Sequence, residues 1–134
     1  FILANIATFF EEIREYLYFN LDGFPELINC FEYYLEKPKS QDADHMMRMS
    51  FTKFDKSSNS ESNIDAIQKL VRLMANLLTF DKIGIDFVAK YPEKYKFMIR
   101  SIAIIIKNKS VKKDSELLTA SLSFLANSMF YEKQ

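Results

Sequence analysis

Residues 63–80 read Asn63-Ile64-Asp65-Ala66-Ile67-Gln68-Lys69-Leu70-Val71-Arg72-Leu73-Met74-Ala75-Asn76-Leu77-Leu78-Thr79-Phe80. Ile64, Ile67, Leu70, Val71, Met74, Leu77 and Leu78 fall at i, i+3, i+4 and i+7 spacing, which predicts an amphipathic helix, with Asn63 placed to cap its start. A second such stripe, Leu118, Leu122, Leu125 and Met129, runs from Asp114 to Phe130 behind Asp114, Ser115 and Glu116, residues suited to a helix N-terminus. Pro25 and Pro92 predict the first turns of helices reaching about Lys37 and Asn108, since a missing N–H costs nothing there. The run Ile102-Ala103-Ile104-Ile105-Ile106 continues the Phe97-Met98-Ile99 pattern without a break signal, so it reads as a helix buried between neighbours. With 2 Gly and 3 Pro, the chain lacks the turn residues that an all-β fold requires, and an all-α fold is expected.

The string recurs. Ile2-Leu3-Ala4-Asn5-Ile6-Ala7-Thr8-Phe9 returns as Leu73-Met74-Ala75-Asn76-Leu77-Leu78-Thr79-Phe80 and again as Phe124-Leu125-Ala126-Asn127-Ser128-Met129-Phe130. Phe24-Pro25-Glu26 and Tyr91-Pro92-Glu93 follow the first two copies, so each unit reads as helix, short helix, Pro-opened helix. The Asn-to-Asn spacings are 71 and 51 residues, and the difference is close to the length of a polar, Ser-rich stretch at 38–62. Without it the spacing nears the roughly 40–47 residues of three-helix repeats. The expected organisation is a partial first repeat at 1–37, the insertion or linker at 38–62, and a second repeat plus the first helix of a third at 63–134. Met46, Met47, Met49, Phe51 and Phe54 could dock the insertion on a neighbour, and serines 57, 58, 60 and 62 are candidate phosphorylation sites. Phe1 to Phe10 carries no charge and Met129-Phe130-Tyr131 is apolar, so further repeats or a partner are expected to cover both, within a larger protein.

Leu70-Val71-Arg72-Leu73-Met74-Ala75-Asn76-Leu77 and Phe124-Leu125-Ala126-Asn127-Ser128 resemble the third helix of armadillo repeats. The resemblance implies a right-handed all-α solenoid fragment of about two to three repeats. More narrowly, residues 66–131, with Asp81-Lys82-Ile83-Gly84 after the third helix, are similar to axonemal armadillo-repeat-containing proteins linked to radial spoke assembly and transport. That implies a non-enzymatic protein-binding scaffold or adaptor in a large assembly of the ciliary or flagellar axoneme. A cytoplasmic cargo or signalling adaptor and a helical-repeat RNA binder are the alternatives. In armadillo proteins the third-helix asparagines hold an extended ligand in a groove, which makes Asn5, Asn76 and Asn127 candidate partner-binding residues. Their amides could equally bond the backbone of a neighbouring repeat. Import receptors of this family also carry Trp four residues before each Asn, where this chain has Phe1, Arg72 and Ser123. Nuclear import is therefore a poor fit.

Lys+Arg and Asp+Glu balance at 18 each, which argues against nucleic acid or an acidic membrane as the general partner. Charge is nonetheless segregated. Residues 10–36 carry seven carboxylates against Arg14, net −6, and residues 81–113 carry nine Lys/Arg against three carboxylates, net +6. The basic stretch, with Lys94, Lys96 and Arg100 beside Tyr91, Tyr95 and Phe97, and Arg72 on the preceding helix, could meet an acidic partner or complement the adjoining repeat. Catalysis lacks parts: one His, no Gly-rich phosphate loop, and a lone Cys30 with no evident base. No enzyme, cofactor, small-molecule substrate or metal is expected, Asp42, Asp44 and His45 being a poor zinc set. A single Cys excludes an internal disulfide, and the longest apolar run falls far below the roughly 18 residues that span a bilayer. An axonemal or cytoplasmic location is expected, without membrane insertion.

Overall fold

The Pro and Asp signals stand at helix starts. In the computed structural model, which describes residues 2–36, 61–108 and 114–131, α1 is Ile2–Phe9, α2 Glu11–Glu15, α3 Gly23–Glu36, α4 Glu61–Leu77, α5 Asp81–Lys90, α6 Pro92–Lys107 and α7 Ser115–Met129. Every regular element among the described residues is helical. Pro92 is the first residue of α6, and Pro25 lies inside the first turn of α3, where neither interrupts a helical hydrogen bond. Asp114 caps α7 by accepting from the Leu117 N–H at 3.2 Å. Asn63 does not cap α4: the helix opens two residues earlier, at Glu61, and Asn63 is buried inside its first turn. The expected insertion therefore ends inside a helix, and its remaining residues, with the Met cluster, the serines before 61 and the Asp42, Asp44, His45 group, lie outside the described residues.

One local feature had no sequence signal. α2 runs on into a π turn, Tyr16–Asn20, in which the Leu21 N–H donates to the Tyr16 carbonyl five residues back, at 3.2 Å. Asp22 then takes a positive φ of 48°, a conformation that Asp tolerates, and turns the chain into α3. Its carboxylate accepts from the Tyr91 hydroxyl at 2.9 Å, so the turn is pinned from the second unit.

The two helix triplets pack on each other mainly through α4, which meets both α1 and α3. α1 lies against α4. Tyr18 of the π turn donates to Asp86 of α5 at 2.7 Å. On the α3 side, Phe24 meets Phe87 of α5 with ring centroids 4.3 Å apart, and Phe31 meets Phe97 of α6 edge to face at 6.4 Å. Phe24, Phe31 and Phe87 are fully buried, each contributing about 1.5–3 kcal/mol through removal of ring area from water. α4 also contacts α3 and α7, and its Ile67, Val71, Met74 and Leu77 are buried, as is Leu78 just beyond its end. Ile102 and Ile105 are buried too, which fits the reading of the isoleucine run as an internal helix.

Candidate functional site

The Ala-Asn string makes one bond twice. Asn76 Nδ2 donates to the Ala4 carbonyl of α1 at 2.9 Å, and Asn127 Nδ2 donates to the Ala75 carbonyl of α4 at 2.9 Å. In both cases the acceptor belongs to the Ala that precedes the Asn of the previous unit, so the sequence repeat is also a register in space. Small Ala side chains permit the approach: Ala4, Ala7 and Ala75 are buried against the neighbouring helix. In the first unit the network is wider, because Asn76 also donates to Thr8 Oγ1 at 2.8 Å while that hydroxyl donates to the Ala4 carbonyl at 2.9 Å. Of the two roles open to these amides, bonding the neighbouring unit's backbone is the one their nitrogens perform. Asn5 lies exposed on α1.

Between α4 and α7 the close approach leaves a groove of about 330 Å³, lined by Gln68, Arg72, Ala75, Asn76, Ser115, Glu116, Thr119, Ala120 and Ser123. Ala75 and Ala120 are buried beneath it, and Arg72, Ser115, Glu116, Thr119 and Ser123 are exposed around it. Gln68 crosses from α4 and donates to Glu116 of α7 at 2.7 Å. The lining thus offers hydroxyls, a guanidinium and a carboxylate over a floor of methyl groups. Arg72 and Asn76, both anticipated as partner-binding, come together here.

Lys94, Lys96 and Arg100 stand elsewhere, on α6, and do not line the groove. Lys94 donates to Asn29 of α3 at 2.8 Å, and Lys96 pairs with Glu93, whose carboxyl its hydrogen bond holds below the usual range. Lys82 of α5 reaches Glu15 of α2 at 3.1 Å. Part of the segregated charge therefore faces the adjoining unit, although such exposed pairs contribute little to stability.

At the end of each Ala-Asn helix, the two units satisfy the same carbonyl differently. Arg14 Nη1 donates to the Ala7 and Thr8 carbonyls at 2.8 and 3.0 Å, and its guanidinium lies 5.8 Å from the Phe80 ring centroid. One unit on, Leu78 takes the place of Ala7 and its carbonyl accepts from Tyr131 Oη at 2.8 Å. Gly84 stands where α2 has Arg14, and a Cβ there would collide with Cδ2, Cε2 and Cζ of Tyr131. The glycine makes room for the ring, whose hydroxyl does the work of the missing guanidinium. Burial, then the bond to Asp81 at 3.1 Å, push Tyr131 up to about 12. Burial, then Asp86, raise Tyr18 as well. The sequence reading placed Tyr131 only in an apolar end to be covered by further repeats or a partner, whereas it is buried within the chain itself, and it did not single out Tyr18.

Among the described residues no three His, Cys, Asp or Glu side chains gather where a metal ion could sit, and no helix is long and apolar enough to cross a membrane. Compared with models of known protein families, with curated proteins and with solved structures, the chain finds no match.

Proposed function

We propose that the chain is an armadillo-type helical-repeat segment that acts as a non-enzymatic protein-binding scaffold, taking an extended stretch of a partner protein into the groove between α4 and α7. The observation that carries this reading is the repeated Asn-to-Ala bond. It fixes α1, α4 and α7 in one register and leaves exposed hydroxyl, guanidinium and carboxylate groups along the groove above them. An extended peptide presents N–H and C=O groups at regular intervals, and a row of side chains able to donate and accept is the matching surface. The register bonds occupy the asparagine nitrogens, and Thr119 donates its hydroxyl to the Ser115 carbonyl at 2.6 Å, so the exposed Ser123 carries more of the recognition than Asn76 and Asn127. A ciliary or flagellar axoneme is the setting supported by the likeness of residues 66–131 to axonemal armadillo-repeat proteins.

The test is capture from axonemal extract by the 134-residue chain against a groove-filled variant, Thr119→Arg with Ser123→Arg, both exposed sites that tolerate a long side chain. Axonemal proteins retained by the wild type and lost by the variant support the reading. Capture that survives groove filling, that depends on RNA, or that brings down no axonemal protein contradicts it.

A further inference from the structure

The groove between α4 and α7 has two unlike ends. Gln68 of α4 donates to Glu116 in the first turn of α7, and Asn127 near the end of α7 donates to the Ala75 carbonyl near the end of α4, so the two helices run in the same direction. At the end nearer the start of α7, Glu116 brings a carboxylate to the lining. Gln68, only 8% exposed, holds it there: a buried side-chain amide needs an acceptor, and Glu116 Oε2 supplies one at 2.7 Å. The bond takes one of about four acceptor positions on a carboxylate, and Glu116 is itself exposed. Four residues on, Ala120 is buried beneath the groove, as is Ala75 of α4.

We propose that the segment this groove takes carries a Lys or Arg whose side chain ends on Glu116, and an apolar residue two positions away that packs over Ala120. The inference rests on the peptide-groove reading above and names the chemistry of the occupant. Charge places the first residue. A carboxylate already held by a buried amide meets a cation without the cost of ordering a loose side chain, and a charge-assisted hydrogen bond is roughly twice as strong as a neutral one. The guanidinium of Arg72, one turn of α4 beyond Gln68, keeps the cation at the Glu116 end. Spacing places the second residue. Ala120 follows Glu116 by four residues, about 6 Å of helix, and side chains on one face of an extended chain recur about every 6.6 Å. Over Ala120 an apolar side chain finds a methyl group, with no polar side chain beneath it to strip of water.

Fluorescence polarisation of a capped, dye-labelled peptide, Ser-Thr-Lys-Thr-Leu-Thr-Ser, titrated with the 134-residue chain to about 1 mM, the weak end of specific binding, tests it. The peptide should bind about fivefold tighter than versions with Gln for Lys, with Ser for Leu, or with Leu moved next to Lys. Raising the salt should narrow the preference for Lys over Gln and leave the preference for Leu over Ser. Glu116→Gln keeps an acceptor for the Gln68 amide and loses the charge, so in that variant Lys and Gln peptides should bind alike while Leu is still preferred to Ser. A wild type that does not distinguish Lys from Gln, a preference for Lys that persists in Glu116→Gln, or equal binding of the Leu, shifted-Leu and Ser peptides overturns the proposal. Filling the groove with Thr119→Arg and Ser123→Arg separates its failure from that of the reading beneath it. If all the peptides bind the wild type alike and none binds the filled variant, the groove reading stands and the charge and spacing fall. If none binds the wild type, or if binding survives filling, both fall.

Discussion

Replacing Gly84 by Ala separates two opposite expectations. Gly84 is inside α5, so on propensity alone Gly84→Ala should stabilise the protein by about 1 kcal/mol. The structure predicts the reverse, because the new methyl would occupy the space of the Tyr131 ring. That ring cannot give way cheaply: it is 5% exposed, and its hydroxyl is bonded to the Leu78 carbonyl and to Asp81. Swinging it out forfeits one or two hydrogen bonds at about 1 kcal/mol each and the burial of an aromatic side chain, about 2 kcal/mol. Set against the propensity gain, the net loss is about 2 kcal/mol, or roughly 8 °C in Tm for a domain of this size. Thermal unfolding followed by circular dichroism reads it. In a Tyr131→Ala background the obstacle is gone, and Gly84→Ala should then raise stability by about 1 kcal/mol, so the cycle isolates the ring contact. A Gly84→Ala protein more stable than wild type, with Tyr131 intact, would refute the reasoning.

The register bonds make their own prediction. Asn76→Ala removes two hydrogen bonds and gains helix propensity, for a net loss of about 1 kcal/mol by urea unfolding, and Asn127→Ala, which removes one bond, should cost less. Asp114→Ala should cost about 1 kcal/mol through the lost cap of α7, while Asp114→Ser should restore most of it. Tyr131 is raised from 10.0 to about 12, so its neutral form is favoured in the fold. The stability it contributes is full below pH 10 and falls as pH rises from 10 through 12. Tyr131→Phe should flatten that alkaline fall in denaturation curves, and ultraviolet titration of the wild type should show Tyr18 and Tyr131 ionising above the ordinary phenol range.

Local signals were legible because they are local. The 3.6-residue stripe of α4, the prolines opening α3 and α6 and the acid before α7 each act within a turn or two of their own position, and each stands where the pattern puts it. The Ala-Asn string marked the helices that meet, but could not say what the asparagines bond, since their acceptors lie 72 and 52 residues away in sequence. The division of labour among Arg14, Gly84 and Tyr131 was hidden for the same reason: a glycine in a helix reads as a weakness until the ring above it is known. The charge pattern was visible as two blocks of opposite sign, yet only the packing shows Lys82 turned toward Glu15, with Lys94, Lys96 and Arg100 on a helix that does not line the groove.

The asparagine register is tested most directly by NMR of the side-chain amides in the dilute 134-residue chain. Asn76 Nδ2 protons should show nuclear Overhauser contacts to Ala4 and Thr8, and those of Asn127 to Ala75 of α4, with exchange slower than that of the exposed Asn20. Contacts confined to each asparagine's own helix, with exchange as fast as that of Asn20, would contradict the stacking of α1, α4 and α7 on which the groove depends.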